Sequence, residues 1–176
     1  MEFFKYSWDE KVYLEISPNE LWISTDSISE DEIRKLLKQY NSIDLSDIVF
    51  YPTLVKTKLK GISDCAQIID LNEELLLNEY VRYVHLLFRS SENSIFYALT
   101  DVFTVKPKPS TSLTKIDSLL PITKTRIIRE NSSLNNYDIK VDKYSSGNAL
   151  EMSIYFYENG LFEYSEPGFF GYYIDE

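Results

Sequence analysis

The stretch that decides the fold is EMSIYFYENGLFEYSEPGFFGYYIDE, residues 151–176, in which nine residues are Phe or Tyr, six are Asp or Glu and none is Lys or Arg. Asn159-Gly160 at its centre carries the strongest two-residue hairpin signal, because a type I′ turn needs positive φ at both central positions. Such a turn pairs Glu158 with Leu161, Tyr157 with Phe162, Phe156 with Glu163 and Tyr155 with Tyr164. Period two then sets Tyr155, Tyr157, Phe162 and Tyr164 on one face, and Ile154, Phe156 and Leu161 on the other beside Glu158, Glu163 and Ser165. Both faces carry large apolar groups. One suffices for a core, which leaves the other for another element or a partner.

Upstream, Tyr137, Ile139 and Val141 alternate with Asp138, Lys140 and Asp142, and 122–129 also has strand character. KPKPSTSLTK, 106–115, has the composition of an exposed loop, and 95–105 reads as a strand buried on both faces, preceded by a turn at 90–93. Before that turn, Asp70 with Glu73 caps an expected helix over 71–89. Leu76, Leu77, Tyr80, Val81, Val84, Leu87 and Phe88 form its apolar face, opposite Asn78, Arg82, His85 and Arg89.

Ser29-Glu30-Asp31-Glu32 is a capping box, and Ile33, Leu36, Leu37 and Tyr40 follow at helical spacing, so a helix spans about 30–40. Between the two helices IVFYPTLVKTKL, 48–59, is β-rich, with Pro52 marking an edge or a bulge. At the start, Val12, Leu14 and Ile16 alternate, and Ser17-Pro18-Asn19-Glu20 turns the chain into Leu21-Trp22-Ile23 as part of a small meander. These signals describe a single α+β domain over 1–176. Its mostly antiparallel sheet carries about two helices and a C-terminal β-hairpin.

Charge is unevenly distributed. Residues 1–60 carry −3, 61–105 −5, 106–150 +4 and 151–176 −6, within a net −10. Such a field repels phosphates, which argues against direct nucleic-acid binding. Cys65 is the sole cysteine, so neither an intramolecular disulfide nor a CxxC knuckle can form. The first residues, with Glu2, Lys5, Asp9, Glu10 and Lys11, lack the apolar core of a signal peptide, and no window approaches a membrane span of roughly 20 apolar residues. The expected location is a reducing cytoplasm, where the Asn131-Ser132-Ser133 sequon has no role.

His85 is the sole histidine, which removes HExxH and His-rich metal sites. A Cys65/His85 dyad is conceivable, yet His85 falls on the polar stripe of the expected helix, where a solvated residue is ordinary, and Cys65 reads as a small buried hydrophobe. The five glycines make no phosphate-cradling loop and no GxSxG elbow, so neither cofactor nor metal is expected. The residues therefore point away from an enzyme. Carboxylate acid/base chemistry stays open, because 28 Asp and Glu can meet in a cleft without a local motif.

Tyr offers large rigid contact area with a polar tip, and five tyrosines lie among the terminal acids. As a profile, a small acidic, Tyr-rich chain with few glycines, one Cys and no catalytic motif resembles the immunity proteins of bacterial polymorphic-toxin and contact-dependent growth-inhibition systems. The resemblance implies tight, stoichiometric binding to a cognate toxin domain, often a basic nuclease, with its active site occluded. The candidate partner-binding residues are Tyr155, Tyr157, Glu158, Glu163, Tyr164, Glu166, Tyr172, Tyr173, Asp175 and Glu176. An acidic nucleic-acid mimic that blocks a DNA- or RNA-binding protein stays open beside it.

Overall fold

Ser29 opens the first helix, α1 (Glu30–Leu37), through a complete capping box. Its hydroxyl accepts from the Glu32 amide, and the Glu32 carboxylate accepts from the Ser29 amide at 2.9 Å. Ile33, Leu36 and Leu37 are the buried stripe that the spacing requires. The computed structural model describes residues 3–7, 10–89 and 95–173, and the chain is α+β, with four helices and mostly antiparallel sheets among them. It divides into two compact units, one chiefly of Glu15–Ala98 and the other of Glu2–Leu14 with Leu99–Gly171.

In chain order the elements are β1 (Phe3–Ser7), β2 (Glu10–Ile16), β3 (Glu20–Thr25), α1, β4 (Ile43–Tyr51), β5 (Leu54–Leu59), α2 (Cys65–Leu76), β6 (Val81–His85) and β7 (Leu87–Arg89). After the expected turn at 90–93, which lies outside the described residues, come β8 (Ile95–Pro107), α3 (Leu113–Thr123), β9 (Arg126–Asn131), β10 (Asn136–Lys140), α4 (Ala149–Glu158) and β11 (Phe162–Tyr173).

The first unit is built on the antiparallel order β4-β5-β3-β6. Leu21, Ile23 and Thr25 of β3 are buried while Trp22 and Ser24 are half-exposed, the period of a strand with one face on a core. Pro52 sits in the turn between β4 and β5, where its missing N–H costs no ladder bond. The Ser17–Glu20 turn does not close a hairpin, because β2 pairs with β1 and β7 whereas β3 pairs with β5 and β6.

The expected helix over 71–89 is displaced. Asp64, not Asp70, caps α2 by accepting from the Gln67 amide, and the helix stops at Leu76. There the Asn78 side chain accepts from the Tyr80 amide and turns the chain into β6. Val81, Val84, Leu86, Leu87 and Phe88 are all buried. A strand run buried this fully mimics a helical apolar face, which is why periodicity misassigned it. His85 is consequently not solvated: it is 5% exposed, its Nε2 lies 2.7 Å from Ser24 Oγ, and its ring meets Tyr83 edge-on. Cys65 is the first residue of α2 and half-buried.

In the second unit β1 and β2 form a hairpin, while β8 pairs with β10, β10 with β9, and β11 with β8. The C-terminal hairpin centred on Asn159-Gly160 is absent, and a helix takes its place. Asn148 accepts from the Leu150 and Glu151 amides at 3.0 and 3.1 Å, and Glu151 returns the bond from the Asn148 amide at 2.8 Å. Ala149, Met152, Ser153 and Phe156 bury at helical spacing. Asn159 is the C-cap and Gly160, at φ +75°, is the left-handed residue that ends the helix. Asn-Gly thus served the helix stop rather than a type I′ turn, both of which need positive φ.

The stretch taken as an exposed loop, 106–115, is mostly structured. Lys106 and Pro107 finish β8, Leu113 begins α3, and only 108–112 is loop. Lys108 Nζ donates to the Gly160 carbonyl at 2.8 Å and Thr111 Oγ1 to that of Leu161 at 2.7 Å, so this loop caps the carbonyl end of α4. With no basic residue in its own last turn, α4 receives its C-terminal cation from Lys108. Helix α3, which the Pro-rich composition concealed, carries Pro121 in its last turn and ends at Lys124 in the left-handed region.

Candidate protein-binding site

The second unit's core sets the site. Phe156 of α4 lies 5.0 Å from Phe103 of β8 and 5.5 Å from Phe162 of β11, ring centre to ring centre, and all three are fully buried. Burial of one such ring is worth about 1.5–3 kcal/mol, so this trio fixes α4 on the sheet. In β8, Phe103, Val105 and Pro107 are buried, and the intervening Thr104 and Lys106 project to the other side. From α4, Tyr157 stacks on Tyr6 of β1 at 4.2 Å with 28° between ring planes.

Tyr6, Thr104, Lys106 and Tyr157, with Glu163–Gly168 of β11, line an open cavity of about 590 Å³ that lies wholly within the second unit. That volume falls in the range of roughly 300–1,000 Å³ typical of ligand pockets. The tyrosines are anchored by their polar tips. Tyr6 donates its hydroxyl to Glu158 at 3.0 Å, and Tyr164 accepts from Asn136 Nδ2 at 3.0 Å. Partial burial, and then the Glu158 carboxylate beside it, push the Tyr6 phenol upward. Thr104 donates to Asp138 at 2.8 Å, which Arg129 also holds.

The charges are unequal in their engagement. Lys106 Nζ is 2.7 Å from Glu163, whose hydrogen bond and charge raise the ammonium above its ordinary value. Glu166 is exposed and has no ion-pair partner among the described residues. Beside it Ser165 is 2% exposed, and its hydroxyl, alone among buried side-chain polar atoms of the described residues, finds no hydrogen-bond partner. A buried hydroxyl left so costs about 1–3 kcal/mol, which makes it an unusual group to place on a cavity wall. Gly168 is required by closeness: a Cβ there would lie 2.5 Å from Thr100 Oγ1 and 2.8 Å from the Val102 carbonyl.

Of the candidate residues, Tyr157, Glu163, Tyr164 and Glu166 line this cavity, and Glu158 adjoins it through Tyr6. Tyr155 does not. Two residues apart share a strand face but lie about 200° apart on a helix, and Tyr155 is 40% exposed away from the cavity lining. Tyr172 and Tyr173 enter as backbone at the end of β11, and Asp175 and Glu176 lie outside the described residues. Sequence reasoning missed Tyr6, Thr104, Lys106, Ser165, Pro167 and Gly168. Only Pro167-Gly168, which is irregular inside a strand run, carried a local signal.

Among the described residues no group of three or more His, Cys, Asp or Glu is placed to hold a metal ion, and no helix is long and apolar enough to cross a membrane. Comparison of the chain with family models, with curated proteins and with solved structures gives no match.

Proposed function

We propose that the protein is a non-enzymatic binding protein that neutralises a basic protein partner in the manner of bacterial toxin-immunity proteins, acting in the cytoplasm by occluding the partner's active site. One observation carries this reading: Tyr6, Tyr157 and Tyr164 come together with Glu158, Glu163 and Glu166 around one cavity, from parts of the chain some 150 residues apart. Aromatic anchors supply contact area that slows dissociation, and surplus carboxylate charge speeds encounter with a cationic surface.

The test is co-expression with the product of the neighbouring reading frame, followed by titration calorimetry. A one-to-one complex and rescue of growth are expected, with affinity falling roughly tenfold or more on charge reversal at Glu166. No complex and no rescue would sink the proposal. Displacement of oligonucleotide from several unrelated DNA-binding proteins would instead identify an acidic nucleic-acid mimic.

A further inference from the structure

We propose that the free edge of β11 at Glu163–Gly168 takes up an extended, basic segment of the partner protein by β-strand addition, with the main chain of Ser165 at the centre of the new ladder. This inference rests on the protein-binding reading and states how that site holds its partner.

The cavity reaches both sides of the sheet. Thr104 and Lys106 leave β8 on the side opposite Phe103, whereas Tyr157 comes from α4, which packs on Phe103 through Phe156. Successive strand residues point to opposite faces, so a space that meets both sides passes around the margin of the sheet. That margin is β11, which pairs only with β8 among the described residues. Six consecutive residues, Glu163–Gly168, line the space, which a strand presenting a single face could not do.

Main chain faces this opening. Gly168 has no side chain to offer, and the Ser165 hydroxyl is closed to solvent, so neither residue meets the cavity through a polar side chain. Pro167 fixes the direction. A proline within a strand sits where its absent N–H would point away from the ladder, and backbone groups two residues apart point the same way. The N–H and C=O of Ser165 and the C=O of Pro167 are thereby directed to the open side, where an added strand can use them. The donor missing at Pro167 keeps the ladder short, which guards the edge against indiscriminate pairing.

Charge selects the occupant. Residues 151–176 hold six acids and no Lys or Arg, and Glu166 lies exposed between Ser165 and Pro167. Lys106, the one cation of the lining, is held 2.7 Å from Glu163. An extended segment with Lys or Arg at alternate positions suits this edge, and an acidic one is repelled.

The experiment uses the intact protein and the peptide acetyl-Lys-Val-Lys-Val-Lys-amide. Its two counterparts are the same peptide N-methylated at every residue, which keeps the charge and loses the ladder donors, and acetyl-Glu-Val-Glu-Val-Glu-amide. In ¹H–¹⁵N spectra the parent peptide is expected to shift the amides of 163–166 and Gly168 saturably, and at saturation to slow hydrogen exchange at the Ser165 amide roughly tenfold or more. The N-methylated peptide should bind roughly tenfold more weakly, and the acidic one should leave these signals in place. Glu166→Lys should weaken the parent peptide several-fold without removing the protection of Ser165 at saturation. Equal binding of the N-methylated peptide, the absence of a saturable shift at 163–168, or unchanged exchange at Ser165 would overturn the inference. The two readings fail separately. If the partner complex forms and leaves the Ser165 amide exchanging as in the free protein, the β11 edge is wrong and the binding function stands; if the peptide pairs as described but no partner complex forms, the reverse holds.

Discussion

At the scale of single residues, Ser165 carries a local cost to stability. Removing a buried hydroxyl that has no partner relieves its desolvation cost, so Ser165→Ala should stabilise the free protein by about 1 kcal/mol, read as a higher urea midpoint at unchanged slope. A loss of stability would mean that the hydroxyl is satisfied in solution. The three glutamates near the cavity are not equivalent either. Glu166→Lys disturbs no internal pair, whereas Glu163→Lys sets a second ammonium against Lys106 and Glu158→Lys removes the acceptor of Tyr6. Thermal melting should rank Glu166→Lys as neutral and the other two as destabilising. Glu163, Tyr164 and Glu166 could be found from sequence because their chemistry is local to one acidic, aromatic segment. Tyr6, Thr104 and Lys106 could not, because they reach the cavity through pairings that no short window contains.

At the scale of elements, two glycines of β11 and its approach behave differently on substitution. Gly160→Ala meets no atom within 4 Å and is strained by its φ of +75° alone, so it should cost about 1 kcal/mol and fray the end of α4. Gly168→Ala presses on the Val102 carbonyl and must part β11 from β8, which should cost more and deform the cavity. Equal costs in chemical denaturation would refute this account. Asn148→Ala should cost about 1 kcal/mol by loss of the N-cap. That cap also explains why α4 was misread as a hairpin. Ile154, Tyr155, Phe156 and Tyr157 are strand formers by propensity, and the residues that override them, Asn148 and the buried Ala149, precede the segment that attracts the eye. Helix α1 was legible because Ser29, Glu32 and its buried stripe sit together in nine residues. Helix α2 was misplaced because β6 and β7 bury on both faces and erase the period that separates strand from helix.

At the scale of the whole molecule, the titrating groups define a pH range for stability. Glu32 and Asp44 are held below their ordinary values of 4.5 and 3.8, chiefly by side-chain hydrogen bonds from Ser29 and Ser46. Their contributions are present above those values and lost as pH falls through the lowered ones. Tyr6 and Tyr40 are raised above 10.0, chiefly by desolvation, and Lys58 and Lys106 above 10.5, chiefly by hydrogen bonds to Asp47 and Glu163. For these four the folded state holds its proton more firmly, so stability is full below pH 10 and declines as pH rises past it. Urea midpoints should form a plateau with both flanks falling, and Glu32→Gln should make the acid flank shallower. A midpoint still rising beyond the phenol range would contradict these assignments.

The two walls of the cavity are also far apart in the order of synthesis. Tyr6 leaves the ribosome early, and Gly168 follows only after some 160 further residues, roughly ten to thirty seconds later at ordinary elongation rates. Until then the β1–β2 hairpin has no α4 to stack against and no β11 to close the space. A chain released by premature termination before residue 151 would therefore lack both the most acidic stretch and the finished cavity, so only translation through Gly168 brings the two walls together.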